Sequence, residues 1–181
     1  MERKAAMEMS VGTIVTIVLL MFVLVLGIVL VQKIFSSAKG AIDLTDEQLK
    51  SEINKLFGED KELVIYPSSR RVEIKQERED GVGIGIKNLL QGASGTNTFS
   101  YEVIISDASD CVETKEEVAE WFTTGKSEDD IPIAVGKSAI QKVLFRIPSG
   151  TSLCTARFRV NVYAEGDAYA TDFFDITAKA K

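Results

Sequence analysis

Cys111 and Cys154 are the only two thiols in a chain that contains no histidine. A cysteine pair in a β-rich, membrane-anchored chain reads as one disulfide formed in an oxidising compartment; two buried free thiols are the alternative. The missing histidine removes the commonest general base and the commonest transition-metal ligand. No serine or cysteine therefore has an imidazole to activate it, so no catalytic residues, metal ligands or cofactor are expected. Gly81-Val82-Gly83-Ile84-Gly85 superficially suggests a phosphate loop, but the spacing is G-x-G-x-G and no helix follows. Gly83 and Gly85 fit better as a face that lets another backbone or side chain approach closely. Glu128, Asp129 and Asp130 lack the alternating spacing of a calcium loop and read as a solvated loop. Arg70-Arg71 is a basic spot, either an inter-subunit contact or a solvated turn. The chain carries 21 Lys and Arg against 27 Asp and Glu, a net charge of −6. That balance argues against nucleic acid as a partner, which would need a basic stripe.

The elements that would hold these residues begin with Val11 to Val31, an apolar run with no charge, proline or amide. As a helix rising about 1.5 Å per residue it spans roughly 30 Å, the thickness of a bilayer's hydrocarbon core. Its only polar side chains, Thr13 and Thr16, can bond back to helix carbonyls. The run is too long for the core of a cleaved secretory signal, although Ser36 and Ala38 imitate a cleavage pattern. The division expected is a leader over 1–10, a hydrophobic helix over 11–39, a linker and amphipathic helix over 40–60, and a head over 61–181.

Thr45 and Gln48 form a capping box, with Leu44 and Leu49 placed as a hydrophobic staple. Leu49, Ile53, Leu56 and Phe57 make one apolar stripe, and Gly58 is a plausible C-cap. That helix packs on the head, bridges neck and head, or binds a partner. From Glu62 the period becomes two. Strands are predicted at 62–67, 71–76, 82–88, 98–106, 131–135, 138–147, 153–164 and 168–179. A short helix is inserted at 114–122, with Val118, Trp121 and Phe122 on its apolar side. Seven or eight strands with regular turns point to an immunoglobulin-like antiparallel β-sandwich with one short inserted helix, carried behind a single N-terminal transmembrane or hydrophobic helix. The cysteine pair and the shortness of the leader place the head outside the cell.

Arg3-Lys4-Ala5-Ala6-Met7-Glu8, followed directly by the apolar helix, resembles the class III signal of archaeal type IV pilin-like proteins. Archaellins and the immunoglobulin-headed archaellum stator proteins are similar in plan. The resemblance implies that a prepilin peptidase cuts after Lys4 and Ala5 (or Ala6) and leaves the apolar helix in the mature protein. It further implies that Glu8 lies near the new N-terminus, where it would neutralise a neighbour's α-amine. Assembly machinery would then bundle the helices into a homopolymer at the cell surface. A non-polymerising, membrane-tethered surface module is the other reading of the same plan.

Overall fold

A computed structural model describes residues 2–36, 44–58, 60–90 and 95–181. The chain divides into two units, Met1–Ser37 and Ala38–Lys181.

The first unit is one helix, α1 (Glu2–Ser36). Within it Gly12–Leu30 has a mean hydropathy of 3.1, and none of this stretch is buried. The Thr16 hydroxyl donates to the carbonyls of Gly12 and Thr13 at 3.0 and 2.9 Å. Its polarity is thereby absorbed by the backbone, as a helix in an apolar medium requires. The linker over 37–43 lies outside the described residues.

The second unit opens with α2 (Asp46–Leu56). Gln48 N donates to Thr45 Oγ1 and Thr45 N donates to Gln48 Oε1, closing the expected capping box. The C-cap is Phe57 in an extended conformation, not Gly58. A helix that ends by turning straight into extended chain has no need of a left-handed glycine.

Nine strands follow among the described residues: β1 (Leu63–Tyr66), β2 (Arg71–Lys75), β3 (Glu79–Lys87), β4 (Thr96–Asp107), β5 (Phe122–Thr124), β6 (Ser127–Ala134), β7 (Ser138–Arg146), β8 (Thr155–Ala164) and β9 (Asp167–Lys179). A short helix, α3 (Lys115–Ala119), precedes β5. The strands form a four-stranded sheet ordered β1-β3-β7-β5 and a five-stranded sheet ordered β2-β9-β8-β4-β6. This is the expected two-sheet sandwich. Its ladders are antiparallel except that β2 runs parallel to β9, with Arg71 opposite Asp175.

The core follows from the alternation. Ala156, Phe158, Val160 and Val162 of β8 are buried, while Arg157 and Arg159 face out. Phe158 stacks on Phe174 at 5.5 Å between centroids and packs against Phe145 at 4.9 Å. Trp121 is buried with them. The inserted helix is shorter than its apolar side suggests: it stops at Ala119, and Phe122 belongs to β5 instead. Glu128, Asp129 and Asp130 correct a second expectation. They lie in β6 and not in a solvated loop, because an edge strand turns one side to water and tolerates charge there.

Candidate functional site

Three places gather the head's chemically able side chains. The first is the Cys111–Cys154 disulfide, with its Cα atoms 5.0 Å apart. It ties the segment after β4 to the segment before β8. Glu113 braces the same junction: its carboxylate accepts from Ser152 N at 2.6 Å and from Ser152 Oγ at 2.5 Å. The Ser152 hydroxyl, followed by the Ser152 amide, holds the Glu113 carboxyl below the usual carboxylate range. The two sulfurs and this carboxylate lie within 4.8 Å of one another. A thiolate metal ligand needs a free sulfur, and these two are bonded to each other. Val112 and Leu153 flank the bridge with their side chains in water.

The second place is the outer face of the four-stranded sheet. In register across it run Val64, Gly85 and Ile140, and beside them Tyr66, Gly83 and Lys142. The two glycines make a trough between ridges of larger side chains, and α2 lies in it. A Cβ on Gly83 would stand 2.7 Å from Leu49 Cδ1, and one on Gly85 would stand 2.4 Å from Ile53 Cγ2. The glycines therefore serve close approach, as their spacing suggests. Leu49 and Ile53 are buried there, with Leu44, Phe57 and Ile140 around them. Lys142 Nζ reaches Asp46 in the first turn of α2 at 2.6 Å.

The third place is the outer face of the five-stranded sheet. Asp175 is buried although it points away from the core. Arg157 donates to both of its oxygens, at 2.8 and 3.1 Å, and Arg71 stands at 3.6 Å. Beside them the Phe173 ring is 43% exposed. The guanidinium of Arg157 lies 4.7 Å from its centroid and that of Arg70 lies 5.6 Å away. Arg70 also pairs with Asp172 at 2.7 Å. The basic spot at Arg70-Arg71 is thus one side of a larger cluster. Sequence reasoning passed over Phe173, Asp175 and Arg157 in this role. Their only signal was that all three occupy the outward positions of strands β8 and β9.

Across the same sheet, burial first and the Glu128 charge second push the Tyr101 hydroxyl up to about 12. Tyr101 stays neutral and donates to the Gly125 carbonyl at 3.1 Å.

Of the residues named from sequence, Cys111 and Cys154 are brought together. Lys4, Ala5, Ala6, Glu8, Val11 and Val31 all fall within α1, but their side chains lie outside the described residues.

No family model and no curated protein matches the chain. Among solved structures, a CARDB domain from Pyrococcus furiosus, in complex with di-metal ions, is similar at 12% identity; the match covers 65% of this chain and 87% of that one, with a TM-score of 0.42. A Niemann-Pick type C2 protein from the Japanese carpenter ant is similar at 14% identity, over 66% of this chain and 90% of that one, with a TM-score of 0.35. A family 123 glycoside hydrolase from Clostridium perfringens matches at 12% identity, over 61% of this chain and 22% of that one, with a TM-score of 0.39. The architecture of the present chain rests on its own strand order and register: an apolar N-terminal helix followed by a two-sheet, immunoglobulin-like β head.

Proposed function

We propose that the chain is a structural subunit of a type IV pilus-like filament, related to archaeal pilin-like proteins. The observation that carries this reading is the pairing of two parts. One is an unbroken apolar stretch, Gly12–Leu30, with no polar face and nothing burying it. The other is a compact β head braced by a disulfide. A helix apolar on every side must be covered by lipid or by other apolar helices. Before assembly the bilayer covers it; in the filament, copies of the same helix do. The head stays outside. Glu8 pairs with a neighbour's freed α-amine in the bundle, since an unpaired charge there is strongly unfavourable. The sequence holds no histidine for acid–base work, and the head is read as presenting surface and not as transforming a substrate.

The test is the N-terminus of the protein recovered from cells, read by Edman degradation or mass spectrometry. A start after Ala5 or Ala6, together with fibres containing the protein in sheared surface material, is the expected result. A start at Met1 in membrane-extracted protein refutes processing.

The same apolar stretch and braced head also suit a second reading, an uncut anchor presenting a monomeric head. That reading predicts monomers in mild detergent and no fibres.

A further inference from the structure

The outer face of the five-stranded sheet sets an exposed ring among guanidinium groups. Toward its β2 edge stands the exposed Phe173 with arginines around it. In the adjoining row Phe173 is opposite Arg159, which is opposite the 37%-exposed Ile104. Arg159 donates only to Ser106 Oγ, at 3.4 Å, and forms no ion pair among the described residues. The Arg71 side chain is 74% exposed. Exposed aromatic and guanidinium groups standing together are the composition of an interface centre.

The opposite edge is β6. Its Glu128, Asp129 and Asp130 are all exposed. A bulge sets Asp129 and Asp130 against the single Ser100, between the pairs Phe99–Ile131 and Tyr101–Glu128. Glu165 lines the same concavity as Asp129 and Asp130. None of these four carboxylates is in an ion pair among the described residues. β2 and β6 lie four inter-strand spacings apart, roughly 19 Å at about 4.8 Å each.

We infer that the Phe173–arginine face of one head receives the acidic β6 edge of a second copy. This rests on the filament reading and supplies its head-to-head contact. The chemistry is carboxylate on guanidinium, planar and directional, beside a desolvated ring. The bulge and the charges of β6 oppose simple strand addition, so side chains make the contact. Because the ring-and-arginine patch on the sheet face and the acidic β6 edge are different surfaces, each bound copy leaves one surface of each kind free. Such a contact is heterologous and propagates instead of closing. The complementarity within one molecule selects a second copy as the occupant.

The experiment uses the full chain in mild detergent, where the micelle covers α1 and sedimentation velocity reads association of heads. Wild-type protein associates at about 0.05 M salt and much less at about 0.5 M. The pair Glu128→Lys with Asp129→Lys makes both surfaces basic, and the pair Arg71→Glu with Arg159→Glu makes both acidic. Each variant alone associates about tenfold more weakly or worse, and an equimolar mixture of the two recovers association. Circular dichroism and an intact disulfide show that the heads are folded. Should the arginine variant fail that check, the exposed β6 variant decides alone. Wild-type heads that stay monomeric at low salt, or swapped variants that associate like wild type, overturn the contact. If fibres are nonetheless seen in sheared wild-type material, only the contact fails. If fibres are absent and the N-terminus is uncut, the filament reading fails, whatever the heads do in detergent.

Discussion

Replacing Gly85 with alanine should lift α2 from the sheet. The new Cβ would stand 2.4 Å from Ile53 Cγ2, 2.8 Å from Phe57 Cζ and 2.9 Å from Phe57 Cε2. Carbon atoms in good contact sit about 3.5–4.0 Å apart, so the Ile53 contact is too close by about 1.1–1.6 Å. Neither neighbour is the loose end of a flexible chain: Ile53 Cγ2 is a branch on a stiff β-carbon, and Phe57 presents a ring. The helix must therefore move as a body. Overpacking of this kind costs about 1–3 kcal/mol. The ceiling is set by losing the burial of Leu49 and Ile53, at about 1.5–3 kcal/mol each. We expect about 2 kcal/mol. The assay is urea unfolding of the full chain in mild detergent, followed by the fluorescence of Trp121, the chain's only tryptophan, which is buried in the core. Amide exchange along α2 reports its lifting directly. Gly58→Ala is the control, since nothing lies within 4 Å of its added methyl group, and it should change stability by no more than about 0.5 kcal/mol. The decisive step is a cycle with Ile53→Ala. That change is costly alone, but it removes the closest of the colliding atoms and leaves only the Phe57 ring, so Gly85→Ala should cost measurably less on its background. A neutral Gly85→Ala, or costs that simply add, would refute the packing account.

Cys111→Ser should destabilise the head by about 4 kcal/mol, because the bridge closes a loop with a sequence separation of 43; equilibrium unfolding with and without reductant checks it. Glu113→Gln should destabilise the head at neutral pH by about 1 kcal/mol or less after solvent screening, read as a lowered melting temperature. The Glu113 carboxyl is depressed in the fold, so its contribution is present above the unfolded-state value and disappears as pH falls through the folded one. Melting curves of the two proteins should therefore converge in acid, and a gap unchanged there would contradict the assignment. Asp175→Asn should cost about 1–3 kcal/mol, more than Asp172→Asn, since it strips the partner from Arg157 and Arg71 together; thermal melts of both variants rank them. The intact chain should need detergent to remain monodisperse in solution, and light scattering without detergent is the check.

Local chemistry made α2 readable. Its capping box, its stripe and the glycines beneath it are all short-range signals; that the stripe meets those glycines is seen only in the fold. The alternation of β8 was equally plain. The boundaries that shifted did so where an edge strand follows other rules. The acidic start of β6 resembles a loop because only alternate residues of an edge need be apolar, and here the bulge breaks even that rhythm. Trp121 and Phe122 suit a helix face as well as a strand end, and only the pairing of Phe122 with Phe145 decides between them. The Phe173 cluster was hidden for a different reason. Arg71, Arg157 and Asp175 come from three strands, and no spacing along a chain encodes which strands become neighbours.

The parallel ladder between β2 and β9 sets a timetable for the head. β2 is made early, yet its ladder partner lies far along the chain, with Lys75 opposite Lys179. The same late strand also pairs with β8 along most of its length. A nascent chain paused ahead of β9 therefore holds an open sheet with bare apolar residues on either side of the gap. Closure of the five-stranded sheet therefore waits for β9, and that gap must be shielded until β9 arrives.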